Sequence, residues 1–477
     1  MIKFLKLTCF SILILVTYEN LKGQDAHYWT EQYGNISMLL SGTVNANVQD
    51  LGLVFYNPGR LAQIENPAFV ISARVYELTN IRLKDGLDKG RDLKKTSFGG
   101  APNLVAGTFN VPFLKNHHFA YSFLTRHRYN SDLNTKASLD ENDEKDSPYS
   151  NISATAKSNN GFNEEWYGLT WSYNLNKVLS IGISTFATQT SHSKSLDVQL
   201  QGLRNDSLVS MVKLNRKMSY DRYGLLCKAG LSAQFEKINL GVTITTPTIN
   251  LYNNGSTTYE NYITSVDSIA GKPATDVYME SNQSDLPAKP KSPWAIGLGA
   301  SFNFTRSTLH ISSEWFSGIG KYTVMETEPA IGQYPKDTIK LRMIDDLRSV
   351  FNIGIGLEYR FNEKIEIFLS GATDFAAIGK DVTYLYEFRE SELSKSTFDG
   401  DILHFGSGIA MNMKWAELTL GVTYANSRRT VPTPLNISGS DIINPEENTD
   451  LFYTRWRFIL GFSFPFADKI SNKLNAD

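Results

Sequence analysis

The chain has 477 residues and a formal net charge of −2 at pH 7, with 34 glycines, 23 tyrosines and 27 phenylalanines. The near balance of charge excludes the basic excess that a nucleic-acid partner requires. Two cysteines, Cys9 and Cys227, are too few for a disulfide framework or a cysteine-rich metal site, and the many glycines and aromatic residues favour a β protein over a helical enzyme.

Residues 1–24 are predicted to form a cleaved signal peptide. Lys3 and Lys6 precede an apolar run, Leu7–Val16, and a more polar stretch follows as far as Gln24. A run of about ten residues is too short to cross a bilayer as a helix but suits the apolar region of a secretory signal. The alternative is an N-terminal strand or core helix. The signal peptide predicts that the chain is exported.

Residues 25–67 show no clean alternation of apolar and polar side chains. Tight-turn sequences interrupt them, at Ser41-Gly42, at Asp50-Leu51-Gly52 and at Asn57-Pro58-Gly59. This pattern predicts an irregular segment between the signal peptide and the first strand.

From residue 68 onward, apolar and polar side chains alternate with the period of two that is typical of β-strands. The clearest examples are Ile238–Thr245, Phe351–Arg360 and Leu418–Tyr424. The alternation predicts about fourteen strands, most of them long enough to cross a membrane at a tilt. The predicted strands are 68–82, 101–113, 117–131, 162–176, 178–193, 220–236, 238–251, 291–305, 307–325, 347–361, 363–376, 401–415, 416–428 and 452–466.

The connections between these strands alternate between short turns and long polar loops. The short turns are 115–116, 176–177, 236–237, 305–307, 362–363 and 415–416. The long loops are 83–100, 132–161, 194–219, 252–290, 326–346, 377–400 and 429–451. Tight turns on one side and long loops on the other are typical of outer-membrane barrels, which contain an even number of strands.

The predicted fold class is therefore all-β, a transmembrane antiparallel β-barrel of about 14 strands at 68–466, followed by a polar periplasmic tail at 467–477. Lipid offers the backbone no hydrogen-bond partner, so a spanning sheet must close on itself. With both termini on the periplasmic side, the long loops lie outside the cell. A barrel this wide has a lumen that is either water-filled or plugged, and the segment at 25–67 is predicted to be an N-terminal hatch, or plug.

The N-terminal segment resembles the FadL-type (OMPP1/FadL/TodX) outer-membrane transporters of long-chain fatty acids and other hydrophobic compounds. The residues that carry the resemblance are Leu40-Ser41-Gly42-Thr43-Val44, Val48-Gln49-Asp50 and Tyr56-Asn57-Pro58-Gly59-Arg60-Leu61-Ala62. In that family a Ser-Gly pair, a polar step and an Asn-Pro-Ala motif mark a hatch inside a fourteen-stranded barrel. Here the motif reads Asn-Pro-Gly, which leaves out one methyl group.

The resemblance implies passive uptake of a hydrophobic small molecule, such as a long-chain fatty acid, which enters the lumen and leaves sideways through a gap in the wall when the hatch shifts. It assigns the hatch role to Ser41, Gly42, Asn57, Pro58 and Gly59. The alternative for the last three is an ordinary β-turn. In the family the gap accompanies a kinked third strand, but the predicted third strand, His117–Ser131, contains no glycine or proline that would indicate a kink.

Six arginines fall on predicted lumen faces, where a guanidinium group could bind a ligand carboxylate. The alternative is that lumen charges form ladders with Glu358, Glu366 or Asp374 and stabilise the barrel interior. The six candidates are Arg74, Arg126, Arg128, Arg360, Arg455 and Arg457.

We predict no catalytic residue, no metal and no cofactor. His117-His118 lies at a tight turn without further ligands nearby, and no serine and histidine pair has the context of a barrel lipase. Cys227 alternates with Leu225 and Leu231, so we expect it to face lipid. The predicted partners are a hydrophobic small-molecule ligand and outer-membrane lipids, without a nucleic acid, and the chain is expected to act as a monomer.

Two other functions fit the same scaffold. One is an accessory or partner-holding barrel in protein secretion, which large apolar loop tips at one rim would favour. The other is a water-filled porin for polar solutes, which an open lumen with charged rings would favour. A lumen lined with apolar and aromatic side chains would favour hydrophobic transport.

Overall fold

A computed structural model gives the fold of the chain. The described residues are 26–64, 69–88, 91–109, 111, 113–114, 116–140, 149–204, 208–266, 268–269, 272–273, 276–333, 338–379, 392–395, 400–413, 417–432 and 448–464. The predicted signal peptide at 1–24 and the predicted tail at 467–477 lie outside these residues.

Nearly all regular structure in the described residues is β-strand, as the alternation of side chains predicts. The strands are β1 (Phe69–Asp88), β2 (Arg91–Phe109), β3 (His117–Asp140), β4 (Tyr149–Asn174), β5 (Leu179–Arg204), β6 (Val209–Gln234), β7 (Ile238–Thr245), β8 (Ile249–Thr264), β9 (Ser268–Ile269), β10 (Lys272–Pro273), β11 (Val277–Leu286), β12 (Ala295–Asn303), β13 (Ser307–Phe316), β14 (Ile319–Glu326), β15 (Ala330–Ile331), β16 (Thr338–Ile339), β17 (Arg342–Leu347), β18 (Val350–Arg360), β19 (Ile365–Asp374), β20 (Glu392–Ser394), β21 (Ile402–Asn412), β22 (Glu417–Pro432) and β23 (Asn448–Phe464).

Fourteen of these strands form a closed antiparallel barrel. Its order is β1-β2-β3-β4-β5-β6-β7-β12-β13-β18-β19-β21-β22-β23. The last strand pairs with the first, from Phe69↔Phe464 to Leu83↔Leu451, and β6 joins β7 through Lys228↔Thr245. These pairings close the ring, and β8 and β11 extend the sheet from β6 beyond it. The prediction of an antiparallel barrel of about 14 strands is confirmed.

The two faces of the wall differ as the period of two requires. In β18 the outward residues Phe351, Ile353 and Ile355 are 52%, 47% and 53% exposed, whereas Asn352 between them is buried. An exposed apolar row of this kind is stable in lipid but not in water. Cys227 alternates with buried residues on β6, in the outward row that also contains the exposed Leu225.

Exposed aromatic residues mark two levels of the outer surface. Phe98 stacks on Tyr76 towards the end of the barrel that carries the long connections, which we call the long-loop end. Phe109 stacks on Phe119 next to the turn that follows β2, at the short-turn end. About ten residues separate the two levels along β2, which matches one tilted crossing of a membrane. The outward Trp456 lies at the level of Phe98, because both pair with Leu78.

The strands are longer than the sequence predicts. Large parts of the predicted loops at 83–100, 132–161, 194–219 and 252–290 are strand, and β4, β5 and β6 each have 26 residues. These four loop assignments were wrong because a strand that rises above the membrane has water on its outer face. Its polar side chains resemble those of a loop in composition, although the backbone ladder continues.

The long-loop end of the barrel is covered by a three-stranded sheet of β14, β17 and β20, which we call the cap. Val324, Met325 and Met343 of the cap are buried against Met218 and Tyr220 of β6. Predicted loops at 326–346 and 377–400 supply part of this sheet. The cap therefore places apolar side chains over the lumen.

The N-terminal segment, residues 26–64, lies inside the barrel. It contains the helices α1 (Asn35–Leu39) and α2 (Leu53–Tyr56) and a 3₁₀ helix, Pro58–Gln63. Apolar side chains of the segment, including Leu39, Val54 and Leu61, form one core cluster with lumen-facing residues of the wall such as Phe186 and Phe368. Among the described residues, the helices are all too short or too polar to cross a membrane.

Candidate functional site

The N-terminal segment packs tightly against the wall because many lumen-facing positions are glycine. A side chain at Gly182 or Gly230 would collide with Asn57, Pro58 or Gly59, and one at Gly241 or Gly299 with Asn45. Further such positions are Gly354 and Gly356 against Thr43, Gly406, Gly408 and Gly421 against Leu39, and Gly461 against Asn35. The glycines in the alternating pattern therefore form the seat of the segment.

The Asn57-Pro58-Gly59 turn connects the segment to three wall strands. The Asn57 side chain is fully buried and donates hydrogen bonds to the carbonyls of Asn45 at 2.9 Å and Leu231 at 3.1 Å, and it accepts one from Gly59 N at 3.1 Å. The Gly59 carbonyl accepts from the hydroxyls of Ser172 and Ser180. Because the side chain bonds to both the segment and β6, this turn is more than a local chain reversal.

Ser41 and Gly42 form a second anchor on the opposite wall. Both have a positive φ, 49° and 74°, a left-handed turn that glycine adopts without cost and serine less readily. The Ser41 hydroxyl lies 2.8 Å from that of Ser370 on β19, and the Ser370 hydroxyl lies 2.7 Å from the Leu39 carbonyl. The five residues predicted for the hatch thus all lie in the lumen, and Ser41, Asn57, Pro58 and Gly59 contact the wall.

Asp50 holds the segment together internally. Its carboxylate accepts hydrogen bonds from Ile36 N at 2.9 Å, Ser37 N at 3.0 Å, Gly52 N at 2.9 Å and the Ser37 hydroxyl at 3.0 Å. Burial raises the pKa of Asp50 above its ordinary value, and these four donors oppose part of that rise. Two chain regions thirteen to sixteen residues apart are joined at this carboxylate, so the segment forms a folded unit.

Three of the six predicted arginines face the lumen, but each binds the N-terminal segment. Arg457 donates to Glu31 at 2.5 Å and to Glu77 at 2.6 Å, and Arg455 donates to the Thr30 carbonyl at 2.8 Å. Arg126 donates to the Tyr28 carbonyl at 2.8 Å. These contacts resemble the predicted structural ladders more than a free ligand site, although all the partners except Glu77 of β1 are in the segment.

Of the other three arginines, Arg128 differs from the prediction, Arg360 pairs with one of the predicted ladder carboxylates, and Arg74 is not tested. Arg128 does not face the lumen: its side chain is 50% exposed and pairs with Glu165 at 3.6 Å on the outer side of the wall. Arg360 lies at the short-turn end, 58% exposed, and pairs with Glu366 at 3.3 Å. The side chain of Arg74 lies outside the described residues. For Arg128 the cause is a β-bulge between Thr125 and His127, which reverses the facing of every later residue of β3.

The same bulge lies at a gap in the wall. In the described residues, β2 and β3 pair from Phe109↔Phe119 to Leu104↔Leu124 and no further. Beyond that level β3 continues to pair with β4 as far as Asp140↔Asn151, and β2 with β1 as far as Arg91↔Asp88. The two strands therefore face each other with free edges from Leu104 and Leu124 towards the long-loop end.

The N-terminal segment bridges the two edges of this gap. The Tyr33 hydroxyl donates to the Thr125 carbonyl on β3 at 3.0 Å, at the bulge. The Asn103 side chain on β2 donates to the Gln32 carbonyl and lies 3.3 Å from Met38 Sδ. Adjacent residues of the segment thus bond to both sides of the opening, and both Tyr33 and Asn103 are fully buried.

The gap was not predicted from the sequence, because the predicted third strand contains no glycine or proline that would indicate a kink. A bulge requires no special residue type, and Thr125, Arg126 and His127 are ordinary strand residues. The available signal was Pro102 on the neighbouring strand, since a proline lacks the N–H group that a ladder needs and is confined to strand edges. Pro102 lies just past Leu104, where the pairing of β2 with β3 ends.

A cavity of about 110 Å³ lies between the gap, the cap and the N-terminal segment. His27, Thr30 and Glu31 of the segment line one side, and Lys395, next to the cap, lines another. The lining also includes Ser97 of β2 and Arg128 and Asn130 of β3, which are exposed. Because exposed residues of both free edges belong to the lining, the cavity reaches the gap.

The cap is fixed by a buried ion pair. Lys395 Nζ lies 3.3 Å from Asp345 Oδ2, with side chains 2% and 1% exposed. The Tyr322 hydroxyl donates to the same carboxylate at 3.2 Å, and Lys395 also lies over the Phe162 ring at 5.6 Å from its centre. The cap thus closes the long-loop end of the lumen through specific polar contacts.

Other predicted features have ordinary surroundings. His117 Nδ1 accepts a hydrogen bond from Trp171 Nε1 at 2.8 Å at the short-turn end, and no group of metal ligands is present in the described part of the chain. Trp294, Trp315 and Trp456 are about 40% exposed on the outer face, as expected for an aromatic belt at a membrane interface. Trp166 does not belong to the belt, because it is buried in the lumen.

The chain has the fold of outer-membrane channels for hydrophobic compounds. A FadL homologue from Pseudomonas aeruginosa superposes with a TM-score of 0.56 at 12% identity, over 92% of this chain and 100% of that chain. The toluene transporter TodX of Pseudomonas putida gives 0.53 at 13% identity, over 94% and 100%. The toluene transporter TbuX of Ralstonia pickettii gives 0.53 at 12% identity, over 93% and 99%. No protein-family model and no curated protein sequence matches the chain.

Proposed function

Starting from this shared fold, we propose that the protein transports hydrophobic small molecules passively across the outer membrane. The observation that carries the proposal is the gap between β2 and β3, whose two edges are bridged by the N-terminal segment. A molecule in the lumen would leave sideways through the gap when the segment shifts, so that residues 25–67 act as a hatch and residues 68–466 as the barrel. This route avoids carrying an apolar solute through water.

The position of the gap supports this route. It begins at Leu104 and Leu124, roughly midway between the two aromatic levels of the outer surface, and reaches the level of Phe98 and beyond. Its first residues therefore face the hydrocarbon layer of the leaflet on the long-loop side, where an apolar molecule is stable. The proposed orientation places the long loops outside the cell and both termini in the periplasm.

The neighbours with this fold leave two ligand classes to test. Two of them are toluene transporters, and another is a homologue of FadL. The resemblance of the N-terminal motif implies long-chain fatty acids or similar compounds. We propose a hydrophobic compound as the ligand, with a long-chain fatty acid as the first probe and toluene as the second, for a monomer without catalytic residues or cofactor.

A disulfide that fixes the segment to the wall tests the proposal. The Ser41 and Ser370 hydroxyls are 2.8 Å apart, so Ser41→Cys with Ser370→Cys brings two thiols within bonding reach. The matched control is Thr170→Cys with Ser184→Cys, whose hydroxyls are 2.7 Å apart on two wall strands that already pair. Both pairs are made in a Cys227→Ser background, and uptake of labelled fatty acid and labelled toluene is measured in cells before and after oxidation.

We expect oxidation to stop uptake in the segment-to-wall pair, reduction to restore it, and the wall-to-wall pair to transport in both states. Normal uptake through the oxidised segment-to-wall pair would show that transport does not require the segment to move, and the hatch would be wrong. If cells with the unmodified protein take up both probes no faster than cells that lack the protein, hydrophobic transport itself is refuted.

A partner-holding barrel is the second candidate, and one observation favours it. The hairpin of β5 and β6 rises above the membrane, and Leu203, Leu208 and Val209 near its tip are 45%, 52% and 57% exposed. If this tip holds a protein partner, replacing the three residues with serine will abolish pull-down of that partner and leave uptake unchanged. A water-filled porin is disfavoured, because the N-terminal segment and the cap occupy the lumen in the described residues.

A further inference from the structure

The outer surface of four adjacent strands, β2, β1, β23 and β22, carries two parallel rows of side chains. The lower row, which we call the aromatic row, consists of Phe98, Leu78, Trp456 and Tyr424. The upper row, which we call the basic row, consists of Lys94, Arg82, Phe452 and Arg428. On each strand the basic row lies four residues beyond the aromatic row towards the long-loop end, so both rows share the outward face.

The spacing of the two rows places the basic row among the lipid headgroups. Four residues span about 13 Å along a strand, which is about 10 Å in height for a strand tilted by about 40°. Aromatic side chains such as Trp456 and Tyr424, whose rings are 4.5 Å apart, mark the boundary between hydrocarbon and headgroups. The basic row therefore lies where the leaflet on the long-loop side carries its phosphate groups.

The Phe452 ring holds the two arginines of the basic row. Arg82 Cζ lies 4.7 Å from the centre of the ring, and Arg428 Cζ lies 5.4 Å from it. A guanidinium group on a ring face keeps its N–H groups free to donate in the plane of the fork, the geometry that pairs with two phosphate oxygens. The ring thus places two such groups side by side on a surface that meets lipid.

Ion pairs occupy part of the positive charge of this surface. The pairs are Arg428 with Asp450 at 2.7 Å, Lys94 with Asp92 at 3.3 Å and Lys84 with Asp85 at 4.0 Å. Arg82 has no carboxylate partner among the described residues and its side chain is exposed. The basic row therefore retains a positive charge at its centre, between Lys94 and Arg428.

Another face of the barrel shows that such a row is not a general property of the wall. On β4, β5 and β6 the outward Tyr167 and Tyr223 are 46% and 45% exposed. The outward positions at the level of Tyr223 and immediately beyond it are Glu165, Gln189, Asn163, Ser191 and Asp221. These side chains are neutral or acidic, so the basic row distinguishes the face formed by β2, β1, β23 and β22.

We propose that the basic row binds the phosphate groups of a phosphorylated glycolipid in the outer leaflet, with the acyl chains of the lipid lying against the aromatic row. The row crosses three interstrand spacings, about 14 Å, which is wide enough to contact more than one phosphate. The proposal goes beyond the proposed function, which concerns the lumen and the gap. It takes from that function only the orientation with the long loops outside the cell.

Binding of lipid A to the purified full-length protein in detergent micelles tests the proposal. The probes are diphosphoryl lipid A, the same lipid without its two phosphates, and inorganic phosphate as a competitor. Native mass spectrometry measures the bound fraction over a range of lipid concentrations. The variant is Arg82→Gln with Arg428→Gln, and the matched control is Lys157→Gln with Lys217→Gln, which removes the same charge from exposed lysines of β4 and β6. Circular dichroism verifies the folded barrel in each variant.

We expect the Arg82→Gln, Arg428→Gln variant to bind diphosphoryl lipid A about 25-fold more weakly, from about fivefold for each cation removed near a membrane surface. The control should bind this lipid as the unmodified protein does, and the lipid without phosphates should bind all three proteins equally. Equal binding of the two lipids by the unmodified protein, or an equal loss in the control, would overturn the proposal. Displacement of the lipid by an equimolar amount of inorganic phosphate would also overturn it, because the acyl chains would then contribute nothing. None of these outcomes bears on hydrophobic transport, since both substitutions leave the lumen and the gap unchanged.

Discussion

Removal of one hydroxyl group, in Tyr33→Phe, is expected to loosen the closure of the gap between β2 and β3. The Tyr33 hydroxyl donates to the Thr125 carbonyl at 3.0 Å, and Thr125 is 1% exposed at the bulge. Phenylalanine keeps the ring contacts with Phe55 and Tyr56, so the substitution removes the bond and little packing. A buried carbonyl left without its donor costs about 1–3 kcal/mol.

This cost applies only to the closed state, because the open state has already lost the bond. Since each 1.4 kcal/mol is a factor of ten, the open population should rise about fivefold to about a hundredfold. The assays are the initial rate of uptake of a labelled hydrophobic probe in cells and amide hydrogen exchange in β3 near Thr125. Both rates are expected to increase in Tyr33→Phe.

The control is Tyr167→Phe, which removes a hydroxyl that donates to Glu165 on the outer face of the wall. The two variants are compared at equal amounts of folded protein in the membrane. If uptake and exchange in Tyr33→Phe equal those in the control, the Tyr33 bond does not hold the gap closed and the reasoning is refuted. A decrease in uptake would also contradict it, since it would assign Tyr33 to the path of the ligand.

Two further predictions concern the seat of the segment and the cap. Gly230→Val places a side chain against Asn57 and Pro58. We therefore expect added protease to cleave the displaced segment faster while the barrel stays folded. A segment as resistant to protease as in the unmodified protein would show that the seat tolerates the added volume. Asp345→Ala leaves Lys395 buried without its carboxylate at 3.3 Å, which costs about 3–5 kcal/mol, and should speed hydrogen exchange in the cap. The double variant Asp345→Leu with Lys395→Met should restore slow exchange, and a cap equally protected in all variants would refute a structural role for the pair.

The fourteen wall strands could be predicted from the sequence because one face of each is apolar and the other is small or polar. Alternation of this kind reports which side of a strand meets lipid, and a membrane enforces it over the whole crossing. Above the membrane the constraint ends, so Ser, Thr, Asn and Lys in β4, β5 and β6 were interpreted as loops although the ladder continues. Strand existence was therefore predictable, and strand length was not.

The candidate site was predictable in part. The resemblance of the N-terminal motif singled out Ser41 and Asn57, and both lie at contacts between the segment and the wall. The facing of Arg128 could not be predicted, since a bulge shifts the alternation by one residue and any residue type can form it. Pro102 and the glycines of the lumen were visible in the sequence, but their meaning depends on which element lies opposite, and only the tertiary structure supplies that.

The gap in the wall explains why the N-terminal segment must be both firmly seated and removable. Free strand edges next to hydrocarbon leave N–H and C=O groups without partners, and each costs several kcal/mol in lipid. The Tyr33 hydroxyl of the segment satisfies one of these groups, the Thr125 carbonyl, and the Gln32 carbonyl binds the Asn103 side chain on the other edge, so the segment stabilises the closed wall. A ligand can open the gap only if it binds the open state more tightly than the closed one.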